Sequence, residues 1–315
     1  MTSTPTTDNL SPRQRWLPFA VKMLLGVVFA ASAVAKMLSI DSFEIYVYSL
    51  GWFPLPAALI LSRLVIAIEL LLAIGLLSNL CARLTTISTL LALTGFSLFL
   101  AIVALSGRTD NCHCFGELVD INPVRSLAKN AILILMTLVA MRTRQWNWRP
   151  FPWLWPLVVA APIATVFIVS PPDNWLFHTV DEPYNKPMFT RHVEEPDGLL
   201  HLAPSNSPRI LAFYSPGCHF CRLAATKIGT MQQRHDIDSS LFVNIFPQAE
   251  PSRYDDFFAE TLSPRYRQLN IPPDTFLHLT YGMFPLIMLM QGDSVHATYN
   301  YRTINEQEII GFLSR

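Results

Sequence analysis

Five long apolar stretches in the first 170 residues are the feature that most constrains what this chain can fold into. Each approaches the roughly 20 residues with which a helix crosses a hydrocarbon core of about 30 Å. The connections between them are too short to hold intervening strands. The first stretch has a second interpretation as a signal peptide, because Ala31-Ser32-Ala33 resembles a cleavage site. We predict five transmembrane helices, at Leu17–Leu38, Leu55–Leu77, Leu84–Leu105, Pro123–Met141 and Trp153–Ser170.

Composition divides the chain into two unlike parts. Charged residues make up 15% of the sequence, against roughly 25% in a typical soluble domain. Basic residues outnumber acidic ones before residue 173 and the reverse holds after it, while the formal net charge of +0 argues against a nucleic-acid-binding protein. We predict a disordered cytoplasmic tail (1–14), a transmembrane domain (15–144), a cytoplasmic loop with a fifth transmembrane helix (145–172), a linker (173–202) and a globular domain (203–315).

The positions of basic residues predict the orientation in the membrane. Short cytoplasmic connections are enriched in Lys and Arg. Basic residues precede the first predicted span and crowd the fourth connection, as Arg142, Arg144 and Arg149. The sequence therefore predicts a multi-pass protein of the inner (cytoplasmic) membrane, with the N-terminus inside and the C-terminal domain on the periplasmic side.

Several charged residues fall inside the predicted spans, where an unpaired charge is costly. We expect Lys22 and Lys36 to snorkel toward the interface. Two roles stay open for the others, which are pairing between helices and a polar pocket for a quinone or another ligand. These residues are Arg63, Glu69, Arg125 and Lys129, and the last two share one helix face at i, i+4 spacing.

The cysteines form two closely spaced pairs on the outer side and one lone residue. Cys112 and Cys114 flank His113 in the third connection, and Cys218 and Cys221 lie in the C-terminal domain. A disulfide that closes so small a loop stabilises a fold only slightly, so the spacing favours redox chemistry. The lone Cys81 is expected on the inner side, where its role is undefined.

The second pair lies where a predicted strand, Arg209–Tyr214, turns into a predicted helix, Arg222–Gln233. A helix start stabilises a thiolate, and a protonated His219 adds to this effect, so Cys218 is the expected nucleophile. Cys221 is the expected resolving thiol. Cys218, His219 and Cys221 fall short of a four-ligand zinc site, and the domain sequence has no second Cys/His cluster, so we predict no metal.

This half resembles the thioredoxin superfamily, most strongly at Ser215–Cys221 and in the order of predicted strands and helices that follows. The resemblance implies that Pro285 is the family's cis-proline beside the cysteines and that Phe284 offers its backbone to a partner. A capping box from Thr303 to Glu306 predicts the start of the last helix. The stretch from Pro247 to Tyr281 is longer than a minimal domain needs.

The first half resembles the MauE/DoxX family of redox-associated membrane proteins over about residues 14–142. The similarity rests on a glycine-to-lysine segment, a glutamate, a glycine and a Cys-x-Cys-Phe-Gly turn with the residues after it. These are Gly26–Lys36, Glu69, Gly75, Cys112–Gly116, Pro123 and Asn130. Family membership implies a four-helix membrane unit that works with a thioredoxin-like partner, as in disulfide formation in methylamine dehydrogenase. His113 replaces the usual small residue between the cysteines.

Together these features predict a MauE/DoxX-like bundle with a fifth span, followed by an α/β thioredoxin-like domain. The predicted activity is thiol–disulfide exchange between envelope client proteins, Cys218/Cys221 and Cys112/Cys114. By analogy with quinone-linked disulfide-generating enzymes, electrons would pass to a membrane quinone, and no covalently bound cofactor is predicted. The alternatives are a reductant relay, a non-catalytic assembly factor and a redox-sensing transporter.

Overall fold

The computed structural model describes residues 12–107, 123–141, 152–178, 182–195, 197–200, 207–261 and 263–314. The chain divides into two compact units. The first comprises Met1–Tyr46 and Ile60–Ser170, and the second comprises Val47–Leu59 and Pro171–Arg315.

The first unit is helical. Its helices are α1 (Pro12–Leu38), α2 (Ile40–Ser49, whose last residues belong to the second unit), α3 (Leu55–Ser78), α4 (Ala82–Leu105), α5 (Pro123–Met141) and α6 (Trp155–Val169). Four segments are long and apolar enough to cross a membrane, and they lie in α1, α3, α4 and α5. This confirms helices that can span a membrane at four of the five predicted positions.

The fifth predicted span forms a helix that is shorter than the other four. Helix α6 has 15 residues, which corresponds to a length of about 22 Å. A single turn of 3₁₀ helix, Pro152–Leu154, precedes it, and Pro162 lies inside it. A crossing of the membrane at this position stays a prediction.

The core of the bundle is apolar, and two glycines allow its helices to approach closely. The buried side chains of this core are Leu25, Phe29, Leu72, Ala73, Leu76, Leu93 and Leu133. A Cβ atom placed on Gly26 of α1 would lie 2.7 Å from the Leu77 side chain, and one on Gly75 would lie equally close to Thr85. The absence of side chains at Gly26 and Gly75 therefore sets the spacing around α3.

The second unit contains an α/β domain. Its strands are β1 (Pro208–Phe213), β2 (Phe242–Pro247), β3 (Arg267–Ile271), β4 (Leu286–Gln291) and β5 (Ser294–Tyr299). Its helices are α7 (Lys186–Glu194), α8 (His219–Arg234), α9 (Pro251–Thr261), α10 (Pro273–Thr280) and α11 (Glu306–Leu313). The sheet order is β3-β2-β1-β4-β5, in which β1, β2 and β3 run parallel and β4 and β5 are antiparallel to their neighbours.

The order of elements confirms the predicted α/β domain, and the long insertion between β2 and β4 is now accounted for. It contains helix α9, for which the sequence predicts a helix over Tyr254–Thr261. It also contains strand β3 and helix α10, and the sequence analysis identified neither of these two. Strand β3 lies at the sheet edge, and most of its residues are not fully buried. Its sequence lacks the run of apolar residues by which the central strands were recognised.

The described part of the predicted linker, residues 173–202, packs into the second unit. It contains α7, whose first turn is capped by the Asn185 side chain accepting a hydrogen bond from the Met188 N–H at 3.2 Å. Tyr184, Phe189, Val193 and Leu200 join the core under the sheet. The segment is therefore a folded part of the second unit and not a free linker. The sequence analysis did not predict α7 because the helix is short and is surrounded by prolines and charged residues.

The carboxylate of Glu306, at the start of α11, joins two distant parts of the second unit. It accepts hydrogen bonds from the Tyr48 hydroxyl at 2.9 Å and from the Leu55 N–H at 2.8 Å. Burial, followed by the nearby Glu306 carboxylate, raises the pKa of Tyr48, which keeps its hydroxyl protonated as a donor. The N-cap of α11 is Asn305, so the predicted capping box from Thr303 is wrong by two residues. Glu306 does not close this box, because its carboxylate accepts hydrogen bonds from Tyr48 and Leu55.

Candidate functional site

Cys218 and Cys221 lie at the junction between a buried strand and an exposed helix start. Strand β1 ends at Phe213 in the centre of the sheet, and the chain then turns so that Cys218 is the N-cap of α8. Cys218 is partly exposed, whereas Cys221, one turn into the helix, is fully buried. The pair therefore presents one sulfur to solvent and keeps the other inside.

Hydrogen bonds fix both sulfur atoms. The Cys221 backbone N–H donates to the Cys218 Sγ at 3.3 Å, and the Ser215 N–H donates to the Cys221 Sγ at 3.4 Å. The first bond is an N-cap interaction, in which a sulfur replaces the usual side-chain oxygen. A negative charge on the N-cap sulfur is favoured by the helix dipole.

The two thiols have opposite acidities. A hydrogen bond from the Cys221 thiol is the largest cause that lowers the pKa of Cys218, from an ordinary value of 9.0 to about 6. The N–H groups of Cys221 and Phe220 and the charge of His219 lower it further, while partial burial acts in the opposite direction. Burial is the main cause that raises the pKa of Cys221. At neutral pH the outer sulfur is a thiolate and the inner one keeps its proton.

An aromatic surface adjoins the outer sulfur. The Phe220 ring stacks on Tyr301 with centroids 4.5 Å apart and meets the His219 ring edge-on at 5.6 Å. His219 and Phe220 are both exposed.

The Phe284-Pro285 peptide bond is cis, as the thioredoxin resemblance implies. Leu286, at the start of β4, pairs with Phe213, at the end of β1. Pro285 therefore lies at the end of the strands from which the cysteine turn departs. The Phe284 ring packs at 5.5 Å from the Phe276 ring. A role of the Phe284 backbone in binding a partner stays a prediction.

A buried ion pair supports α8 behind the cysteines, and the sequence analysis did not identify it. The Lys227 Nζ lies 2.6 Å from the Asp173 Oδ2 and donates to the Tyr301 carbonyl at 3.0 Å. Arg302 contacts the other oxygen of Asp173 at 3.3 Å. The partners are separated by 54 residues, so no local pattern could reveal the pair. Its effect is to hold Tyr301 where Phe220 stacks.

Charged residues in the bundle are paired, and two expectations about them are wrong. Lys22 and Lys36 do not snorkel, because both side chains are buried. Lys22 donates to the Asn79 Oδ1 at 2.7 Å, and Lys36 forms an ion pair with Glu69 at 2.6 Å. A helix-spaced apolar pattern cannot show these partners because they lie 57 and 33 residues away in the sequence.

Arg63 has a structural role in the described part of the chain. Its Nη1 lies 3.0 Å from the Glu44 Oε2, and its Nε donates to the Ser170 carbonyl at 2.7 Å. Both charged side chains are almost completely buried. For Arg63 the geometry therefore favours pairing between helices over a ligand pocket.

A cavity of about 300 Å³ opens among α1, α3, α4 and α5. Its polar lining consists of Ser32, Lys36, Glu69, Lys129 and Asn130, and the rest of its wall is apolar. Asn130 is buried and donates to the Ser97 Oγ on α4 at 3.3 Å. Arg125, one turn before Lys129, is exposed and does not line the cavity. Glu69 and Lys129 thus share one pocket, whereas Arg63 and Arg125 lie elsewhere.

The other pair of cysteines, Cys112 and Cys114, and His113 between them lie outside the described residues. Cys81 is partly exposed at the N-cap of α4. Over the described ranges, no group of three or more His, Cys, Asp or Glu side chains is placed to hold a metal ion.

Three features define a thioredoxin-like domain. They are a thiolate at the start of a helix, a buried second thiol, and a mixed sheet with a cis-proline at the start of one of its inner strands. The helices of the first unit define a membrane domain. Residues 14–143 match the family described as methylamine utilisation protein MauE. The chain is thus a MauE-like membrane domain fused to a thioredoxin-like domain.

Three individual proteins are similar to this chain. Protein TlpB of Flavobacterium psychrophilum is 28% identical over 304 residues, covering 79% of this chain and 81% of that protein. A secreted Mycobacterium tuberculosis disulfide oxidoreductase, described as homologous to E. coli DsbE, is 18% identical with a TM-score of 0.29, covering 36% of this chain and 84% of its own. The thioredoxin domain of a Bacteroides vulgatus thiol-disulfide oxidoreductase is 15% identical with a TM-score of 0.28, covering 34% and 80%.

Proposed function

We propose that this protein is a membrane-anchored enzyme that forms disulfides in client proteins of the cell envelope. Electrons would pass from a client dithiol to Cys218/Cys221, then to Cys112/Cys114, and then to a membrane quinone. The observation that carries the proposal is the pairing of a partly exposed, acidic Cys218 with a buried Cys221.

The chemistry of this pair favours oxidation of clients. A client thiolate attacks the Cys218 sulfur of the disulfide, which forms a mixed disulfide and releases Cys221. The second client thiol then displaces Cys218, whose low pKa makes it a good leaving group. The client loses two electrons and two protons as its disulfide forms, and Cys218/Cys221 take up the two electrons. One proton ends on Cys221, and the other goes to solvent because Cys218 stays a thiolate at neutral pH. Because the surroundings of Cys218 stabilise its thiolate, they favour the reduced form of the pair and make its disulfide a stronger oxidant.

Reoxidation is assigned to the pair in the third connection. A disulfide between Cys112 and Cys114 would be strained, which makes it a better oxidant. A chain that carried electrons outward would need an inner dithiol, and Cys81 is alone. A quinone is the class of lipid-soluble acceptor that takes up two electrons and two protons.

Replacement of Cys112 and Cys114 by Ser tests the relay. We expect Cys218/Cys221 to accumulate as thiols in growing cells, as measured by alkylation and gel shift, whereas Cys81→Ser leaves their state unchanged. More oxidised Cys218/Cys221 in the double variant would show that the membrane half is a reductant. Multiple turnovers of a dithiol client by the purified protein separate an enzyme from an assembly factor.

We further propose that the thioredoxin-like domain is periplasmic. The basic residues Arg142, Arg144 and Arg149 support this, because short connections rich in Arg and Lys stay on the cytoplasmic side. They follow the fourth predicted span, so a crossing by α6 would carry the chain to the periplasmic side.

Alkylation of intact cells with a membrane-impermeant maleimide tests this topology. We expect labelling of reduced Cys218 and none of Cys81 until the cells are permeabilised. Labelling of Cys81 in intact cells, with Cys218 protected, would establish the inverted topology and exclude periplasmic clients.

A further inference from the structure

The cavity in the membrane bundle has the properties of a site for an amphipathic ligand. Its polar lining includes two lysines and one glutamate, so the fully ionised lining carries an excess of one positive charge. Lys36 is almost completely buried and Glu69 is largely buried. Charges at this depth are costly and mark sites of function in membrane proteins.

The polar and apolar parts of the cavity lie at different depths. Lys36 is two residues from the end of α1, which is a rise of about 3 Å. Lys129 is six residues from the start of α5, which is a rise of about 9 Å. Val28 and Leu133 lie about 15 Å from the same helix ends and line the apolar part. A ligand would place a polar head near this end of the bundle and an apolar tail deeper.

The cavity is also open to the surroundings of the bundle. Ile68 and Leu91 line it and are 51% and 67% exposed. Gly95 lines it as well, and a Cβ atom placed there would have no neighbour within 4 Å. On a membrane-spanning helix such an opening faces lipid, so the ligand can enter from the bilayer.

We propose that this cavity binds the head group of an isoprenoid quinone and is the site of its reduction, an inference that rests on the proposed function. The dithiol loses two electrons and two protons as its S–S bond forms and its two S–H bonds break. The two carbonyl oxygens of the quinone take up the electron pair and both protons, which gives a quinol. Lys129 donates a hydrogen bond to one carbonyl oxygen and stabilises the negative charge that develops there. The end of the bundle that holds the lysines is also where the chain segment with Cys112 and Cys114 joins α5.

Photolabelling of the full-length protein in nanodiscs tests the site. The probe is an azido-substituted decylbenzoquinone, and the labelled peptides are mapped by mass spectrometry. We expect labels on α4 and α5, reduced at least about fivefold by Gly95→Leu, whose Cβ has open space around it and whose larger side chain would narrow the opening. The control is Thr94→Leu, an equally exposed neighbour that does not line the cavity, with labelling unchanged within about twofold.

Single-turnover reduction of decylbenzoquinone by the reduced protein tests the role of Lys129. Loss of one charge-assisted hydrogen bond predicts a rate about tenfold lower in Lys129→Gln. Arg125→Gln, one turn away and outside the cavity, should differ from wild type by less than about twofold. Equal rates in all three proteins would exclude the assigned role of Lys129.

Two further outcomes separate this inference from the proposed function. If the oxidised protein forms disulfides in a client without quinone, but labels map outside the cavity or survive Gly95→Leu, the cavity is not the site and the thiol chemistry stands. Labelling abolished by phospholipid but not by unlabelled decylbenzoquinone would show a lipid site. If the oxidised protein forms no disulfide in any client dithiol, the proposed function fails as well.

Discussion

The acidity of Cys218 depends most on the thiol of Cys221, and this dependence can be measured. With a pKa of about 6, Cys218 is about 90% thiolate at pH 7, whereas a thiol with the ordinary value of 9.0 is about 1% thiolate. Replacement of Cys221 by Ala removes the largest stabilising interaction of the thiolate. The N–H donors at the helix start remain, so the pKa should rise but stay below 9.0.

The assay is the pH dependence of iodoacetamide alkylation at Cys218 in the reduced full-length protein, quantified on its peptide by mass spectrometry. We expect a midpoint near pH 6 in wild type and a clearly higher one in Cys221→Ala. Cys221→Ser is the matched control, because its hydroxyl can still donate, and its midpoint should lie between the two. A midpoint unchanged by Cys221→Ala would refute the assigned cause.

The same acidity predicts how stability depends on pH. Between about pH 6 and pH 9 the folded reduced protein binds fewer protons at Cys218 than the unfolded chain does, so its stability rises with pH. Above this window the raised pKa of Cys221 acts in the opposite direction, because the unfolded thiol ionises first. Thermal unfolding measured between pH 6 and pH 9 should show stability rising with pH in the reduced protein but not in the oxidised protein.

Two further changes test the packing described above. Lys227→Met removes one of the two cations that balance the buried charge of Asp173 and should lower the free energy of unfolding by about 3 kcal/mol. The additional change Asp173→Leu should restore part of this loss. Chemical denaturation measures both free energies. Equal losses in the single and double variants would contradict this. Gly26→Ala should destabilise the bundle by about 1–3 kcal/mol through overpacking, whereas Gly95→Ala, where space is open, should be neutral or stabilising in thermal unfolding. Similar effects at the two glycines would show that the contact at Gly26 relaxes freely.

Local patterns carried most of the information that the sequence provided. Cys218 and Cys221 were predicted from a strand, a turn and a helix start, all within about 25 residues, and the structure places both as expected. Four spans were recognisable because each apolar run is continuous. The strand Arg267–Ile271 was missed because an edge strand needs little apolar surface.

Pairing between distant residues was beyond local patterns. Lys36 and Glu69 are separated by 33 residues and meet only when α1 packs on α3. Lys36 was expected at the membrane interface, but it is buried and lines the cavity. For Glu69, Lys129 and Arg125 the sequence left pairing and a pocket open, and nothing local indicated that Arg125 would lie outside the cavity that the other two line.

The hydrogen bonds to Glu306 also affect the order in which the protein can be assembled. Tyr48 and Leu55 leave the ribosome long before their acceptor, which lies more than 250 residues later in the chain. The short segment Val47–Leu59 must therefore wait, without its partner, until Glu306 has been synthesised. A fragment starting at Pro171 would lack both donors, so the recombinant domain alone would be an incomplete folding unit. Loss of α11 would leave the Tyr48 hydroxyl and the Leu55 N–H without this acceptor, so a change late in the chain acts on a segment synthesised much earlier.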